Sequence, residues 1–188
     1  VELVEAAALG LAGTAAFDAV NAAQISQGAS VLVIGATGGV GLQAVQLAAA
    51  AGATVLATAS SPGEVDQVRA LGADRIIDHA GDVAAQVREI YPDGVDVVLH
   101  FAGDAQAVAT VVKAGGALVS TLLQDPSQVS AEGVRVAAIY ALPTTETLIR
   151  LAQNQADGTT KVTIQRTYTL DEAPLAFADF AAGTLGKL

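Results

Sequence analysis

The chain has 188 residues, 52% of them apolar, a mean hydropathy of +0.50 and a formal net charge of −10. That length allows one large domain with a substantial core, while the negative charge, unrelieved by any Lys/Arg cluster, argues against a nucleic-acid partner. With no cysteine and only His79 and His100, disulfides, thiolate sites and a zinc site are excluded; no apolar run reaches membrane-span length and Glu2 and Glu5 stand where a leader would be basic, so a cytoplasmic protein with no membrane segment is expected.

Val1 to Ala23 reads as helical with a break around Gly10 to Gly13. Val31 to Ile34 reads as a buried strand, then comes the glycine cluster Gly35 to Gly41 and an apolar-periodic helix over Leu42 to Ala51. Thr54 to Thr58 is a second predicted strand, Glu64 to Leu71 a helix closed by Gly72, and Arg75 to Asp78 a short third strand. Val83 to Ile90 predicts a helix, and after the turn Pro92-Asp93-Gly94 the run Val95 to Phe101 predicts a strand. Ala105 to Val112 predicts a helix ended by Gly115-Gly116, and Ala117 to Thr121 and Val134 to Tyr140 complete six strands. Thr144 to Gln155 reads as a helix, Lys161 to Leu170 as a strand, and Asp171 to Ala182 as a capped final helix.

The six strands are apolar throughout rather than at alternate positions, and they alternate with helices, which suits a parallel sheet covered on both faces. The expected fold is therefore α/β, a doubly wound parallel six-stranded sheet (Rossmann fold) with strand order 3-2-1-4-5-6. Its crevice would lie above strands one and four, where Gly35 to Gly41 meets Phe101-Ala102-Gly103.

The sequence Val31-Leu-Val-Ile-Gly35-Ala-Thr-Gly38-Gly39-Val-Gly41 supplies strand, tight turn and helix start in order. The first turn of a helix leaves backbone N–H groups without partners at its electropositive end, so backbone alone can hold a diphosphate if no side chain obstructs it. Gly35 is assigned the turn out of the strand, Gly38 and Gly39 the close approach of phosphate, and Gly41 tight packing of the helix on the sheet. The spacing fits both GxxGxxG and GxxxGxG. The second is the pattern of short-chain dehydrogenases, but their tyrosine with a lysine four residues on is absent: Tyr91, Tyr140 and Tyr168 are followed there by Val95, Thr144 and Glu172.

Together with Glu5-Ala-Ala-Ala, Leu11-Ala-Gly-Thr14-Ala, Leu71-Gly-Ala-Asp74, Val95-Asp-Val-Val-Leu99, Gly115-Gly-Ala-Leu-Val-Ser120 and Gly183-Thr-Leu-Gly-Lys187, this motif resembles the cofactor-binding half of the medium-chain dehydrogenase/reductase superfamily, in its zinc-free quinone-oxidoreductase-like branch. The resemblance implies an NAD(P)H-dependent oxidoreductase acting on a carbonyl, enone or quinone. It implies a dinucleotide-binding domain over residues 1–160 and a strand-helix tail over 161–188 that would pack on a GroES-like barrel with no counterpart here. The chain thus looks like an excised portion, inactive alone, and its tail is expected to be the most rearranged segment. A free-standing nucleotide-binding or dimerisation module is the alternative.

Ala59-Ser60-Ser61 ends the second strand where an NAD-selective site has Asp or Glu, which favours NADP(H), with NAD(H) possible; Glu64 stands near the place of the family's usual basic residue. His79 either meets the adenosine 2′-phosphate or is a solvent-facing loop residue. The resemblance puts Gly35, Thr37, Gly38, Gly39, Val40 and Gly41 around the phosphates. It also puts Phe101, Ala102, Thr121 and Leu122 beside the ribose and nicotinamide, with Thr14 approaching from the leading helix. His100 is read as a packing or hydrogen-bonding residue, Asp96 as a strand start and Asp104 as a helix N-cap. No catalytic residue is assigned, and no metal. Val134 to Tyr140 is an exposed apolar edge expected to pair across a two-fold axis into a homodimer.

Overall fold

The structure is a computed structural model that describes Val1–Leu188. Six parallel strands form one sheet in the order β3-β2-β1-β4-β5-β6: β1 (Ser30–Ile34), β2 (Thr54–Thr58), β3 (Arg75–Ile77), β4 (Val95–His100), β5 (Val112–Ser120) and β6 (Arg135–Ala138). Between and around them run α1 (Leu3–Ala23), α2 (Gly39–Ala50), α3 (Pro62–Ala70), α4 (Val83–Ile90), α5 (Ala105–Ala109), α6 (Thr145–Asp157) and α7 (Ala173–Ala181). This is the expected doubly wound sheet.

Both faces of the sheet are buried, which explains the unbroken apolar strands. Val31 and Val33 of β1 point, with Val55, Ala57, Val97 and Leu99, into a core covered by α1 and α2, whereas Leu32 and Ile34 join Leu56, Val98 and Leu118 under α4 and α5. The first face is built largely from alanine. Ala16 and Ala19 of α1 and Ala44 and Ala48 of α2 are fully buried, so these helices lie close to each other and to the sheet.

Three expectations are corrected. First, α1 does not break at Gly10 to Gly13; with its buried face packed on α2, the helix interior tolerates both glycines, and Gly13 seats Leu151 and Leu9 against its backbone. The unbroken helix is long and apolar enough to cross a membrane by length and composition, contrary to the sequence reading, but here it serves as a core helix. Second, α5 stops at Ala109 and β5 starts at Val112, because Val112 pairs with Val95 before a bulge at Lys113 to Gly116 and the pairing resumes at Ala117 with Val97. Third, the strand expected over 161–170 reduces to an isolated bridge between Ile164 and Lys187, since no sheet strand lies alongside it. The tail is held instead by side chains: Lys161 N donates to Gln46 Oε1 at 2.7 Å, and its carbonyl accepts from Gln43 and Gln46, both buried on α2.

At the bulge Lys113 forms an ion pair with Asp96, whose Oδ2 also accepts from Ser30 N at 2.9 Å and Ser30 Oγ at 2.6 Å. One carboxylate thereby ties β1, β4 and β5 at the end of the sheet remote from the crevice. Partial burial would raise its pKa, but the hydrogen bonds from Lys113 and Ser30 outweigh that and hold it at about 2, below the ordinary 3.8. A depressed carboxyl stabilises the fold above its unfolded pKa and loses that contribution as pH falls through the folded one. Asp96→Asn is therefore expected to lower unfolding free energy at neutral pH by about 1–2 kcal/mol. Urea unfolding should show the gap from the parent chain closing between about pH 4 and pH 2.

Candidate functional site

The chain leaves β1 through Gly35, whose φ of +76° is the left-handed region that glycine adopts without strain. A Cβ there would come within 2.9 Å of the Ala102 Cβ, so Gly35 also permits the turns after β1 and β4 to touch. Gly38 caps α2 in extended conformation with no side chain to accept from the helix's first turn. The N–H groups that open α2 consequently face outward at a half-buried, electropositive helix end. A Cβ on Gly41 would overlap the Gly35 carbonyl oxygen and approach Ala36 Cα to 2.6 Å. Gly41 thus packs α2 onto its own turn rather than onto the sheet, correcting the role expected for it.

Thr58 fastens this turn, a role that sequence reasoning missed. It is 2% exposed at the end of β2, and its Oγ1 accepts from Gly35 N at 3.0 Å and Ala36 N at 3.3 Å while donating to Val33 O at 3.2 Å. A threonine closing an apolar strand carries no signal for such a role without the register of β2 against β1, which the expected strand order alone does not give.

Beside the turn opens a cleft of about 530 Å³ above β1 and β4, walled by the starts of α4 and α5 and lined by Gly35, Thr37, Thr58, His79, Ala102 and Asp104 among others. The crevice is where the strand order placed it. Of the expected residues, Gly35, Thr37, His79 and Ala102 line it directly, and Gly38 to Gly41 form the adjoining turn. Phe101 packs half-buried against the core, with its N–H bonded to Ile34 O at 3.0 Å. Thr121 N bonds to His100 O at 3.3 Å, and Leu122 is largely exposed just beyond β5. Thr14 is fully buried and its hydroxyl donates to Gly10 O at 2.7 Å, so it is committed within α1 rather than presented to the cleft.

The space above Gly39 is taken by a neighbour the sequence did not suggest. The methylenes of Lys187 lie where a Gly39 side chain would be, and Gly186 N donates to Thr37 O at 2.8 Å, so the chain's last residues cross the glycine turn.

At the outer rim Ser61 caps α3 in a reciprocal box with Glu64, and Ser60 bonds to Asp78 through its hydroxyl. Ser60 and Ser61 are exposed. The Ser60 hydroxyl and the Ala80 N–H hold the Asp78 carboxyl below its ordinary range.

His100 is 1% exposed, with Nδ1 2.9 Å from Ser120 Oγ; burial pushes its pKa down, so it is a neutral interior group of the sheet. Asp104 is the expected N-cap, accepting from Gln106 N at 2.8 Å. No group of three His, Cys, Asp or Glu side chains is placed together in this chain.

The family model for zinc-binding dehydrogenases matches residues 39–131. The chain is 39% identical over 120 residues to 2-methylene-furan-3-one reductase of Solanum lycopersicum, a match covering 63% of this chain and 30% of that protein. The quinone oxidoreductase structure from Coxiella burnetii superposes with a TM-score of 0.87 at 28% identity, covering 96% of this chain and 58% of the other. The quinone oxidoreductase of Thermus thermophilus, solved alone and in complex with NADPH, gives a TM-score of 0.81 at 26% identity, covering 99% of this chain and 65% of the other. The chain thus spans less than two thirds of these relatives.

The glycine contacts make a stability prediction independent of any ligand. Gly41→Ala, whose methyl overlaps backbone, is expected to destabilise the fold by about 2–3 kcal/mol, measured by denaturant unfolding.

Proposed function

We propose that this chain, which belongs to the medium-chain dehydrogenase/reductase superfamily as its cofactor-binding domain, holds a nicotinamide dinucleotide for hydride transfer to a small carbonyl, enone or quinone. The observation that carries this is the glycine-rich turn that opens α2, crossed at Gly39 by Lys187 and bordering a cleft of about 530 Å³ at the switch point between β1 and β4. The nucleotide supplies the hydride; the protein binds, orients and excludes water.

In this reading the amides of Gly38 to Gly41 and the Thr37 region hold the diphosphate, while Phe101, Ala102, Thr121 and Leu122 border the nicotinamide half. Ser60, Ser61 and His79 border the adenosine ribose. Thr14 acts at one remove, through the packing of α1. Two serines in place of an acidic residue at the end of β2, and the NADPH complex of the Thermus protein, support NADP(H) as the cofactor, with NAD(H) as the second nucleotide admitted.

Residues 1–160 are the nucleotide-binding unit and 161–188 a tail that meets a further, barrel-like domain. The large apolar side chains left exposed on α1 and around α7, among them Leu3, Leu11, Phe177 and Phe180, support such a covering partner. Substrate selection would belong to that partner.

The test is titration of the chain with NADPH and NADH by calorimetry, then an enone and quinone reduction assay on the chain joined to its covering domain. Binding with oxidation of the nucleotide is expected; binding without turnover would favour a non-catalytic module, and no binding would overturn the reading. Gly38→Ala separates site from scaffold, because a Cβ there meets nothing closer than the Gly35 oxygen at 3.6 Å. It should leave the melting temperature unchanged and weaken nucleotide binding by roughly tenfold.

The outer edge of β6 has no strand beside it, and Tyr140 and Leu142 just past it are exposed. We propose that residues 134–140 pair with a second copy about a two-fold axis. Sedimentation at micromolar concentration should give a dimer mass, and Ala137→Lys should shift it to monomer.

A further inference from the structure

The corner where β2, α3 and β3 meet carries charges that the reading above leaves without a role. In this type of fold the end of the second strand receives the 2′-position of the adenosine ribose, and a 2′-phosphate there needs free donors or a cation. Here most of those donors are engaged, and only the Ser61 hydroxyl, which accepts from Glu64 N at 3.4 Å, donates to no neighbour. Glu64 Oε2 accepts from Ser60 N at 2.8 Å and Ser61 N at 2.9 Å, and lies 3.5 Å from His79 Nε2. The Ser60 hydroxyl is bonded to Asp78, which also accepts from Ala80 N at 2.9 Å. The two serine amides and His79 thus face Glu64, the Ser60 hydroxyl faces Asp78, and the lysine and arginine ion pairs lie elsewhere, at Asp96 and Asp179.

We propose that Glu64 is the residue that sets this chain's ratio of NADP(H) to NAD(H) affinity, lowering it by keeping a carboxylate on the amides and imidazole that a 2′-phosphate would use. A bound 2′-phosphate, with a charge of about −1.5 to −2, would have to displace that carboxylate or sit against it. A 2′-hydroxyl can instead donate to a carboxylate, so NAD(H) meets no such repulsion. With its side chain only 24% exposed, Glu64 is incompletely screened by water. Desolvation would raise its pKa, but the amides of Ser60 and Ser61 and the nearby His79 outweigh it and keep the group ionised at neutral pH. The two serines favour NADP(H) by leaving room for the phosphate; Glu64 opposes them, and their balance is the chain's selectivity.

The assignment rests on the nucleotide-binding reading, and one substitution tests it without disturbing the cap. Glutamine at the third helical position completes a capping box as glutamate does, so Glu64→Gln removes the charge and keeps the helix start. Calorimetry on the intact chain would compare NADPH with NADH, and adenosine 2′,5′-bisphosphate with AMP. Glu64→Gln is expected to tighten NADPH and the bisphosphate by about tenfold, and to leave NADH and AMP within about twofold. Nucleotides that bind both proteins with an unchanged NADPH-to-NADH ratio overturn the Glu64 assignment alone. Failure of every nucleotide to bind either protein overturns the underlying reading, and this assignment with it.

Discussion

The close approach of Gly41 to the backbone of Gly35 and Ala36 governs how α2 leaves the sheet, and the location of the site follows from it. With no Cβ in the way, the helix begins after the four-residue turn Gly35 to Gly38 that leaves β1. Thr58 holds the same turn from the neighbouring strand by taking the N–H groups of Gly35 and Ala36. A turn fastened from two sides can present amides to an anion without reorganising when it binds, which is where a backbone phosphate site gains over flexible lysines.

Small residues extend that logic into the core. The alanines of α1 and α2 bring both helices close to the β1 face of the sheet, whereas the opposite face carries the bulkier Leu32, Leu56 and Leu118 and supports the walls of the cleft. Several polar groups that enter this interior are met by segments distant in sequence, whereas Gln43 Oε1, His100 Nε2 and Thr160 Oγ1 are buried without a partner. Asp96 is neutralised by Lys113 and Ser30 at one end of the sheet, and Gln43 and Gln46 direct their amides at the backbone of Lys161. The second arrangement anchors the tail to α2 without a strand, and so explains how Gly186 and Lys187 come to lie across the glycine turn.

The rim of the cleft shows how one residue can hold two separate roles. Glu64 completes the capping box that starts α3, a structural task that glutamine could perform equally. Its charge is directed at the amides after β2 and at His79, and in the proposed reading it would bear on the phosphate of a bound nucleotide. The cap and the proposed selectivity are therefore separable at a single position.

Much of this was legible in the residues themselves. Unbroken apolar strands alternating with helices are enough to imply a doubly buried parallel sheet, and a glycine cluster between strand and helix is enough to mark its crevice, because both patterns follow from local geometry and burial. Pairs distant in sequence were not legible: Thr58 with Gly35, Asp96 with Lys113, Lys187 with Gly39 and Glu64 with His79 each depend on strand register, bulges and the path of turns, which strand order alone does not fix. Thr14, placed at the site by resemblance, is turned inward by the packing of α1. The layered sheet and the site's address could be read from the residue order, since side-chain periodicity and glycine's conformational freedom are properties of short segments. Which donors at that address remain free for a ligand, and which the protein already satisfies, was settled by folding in three dimensions, since hydrogen-bond partners are chosen by distance in space rather than along the chain.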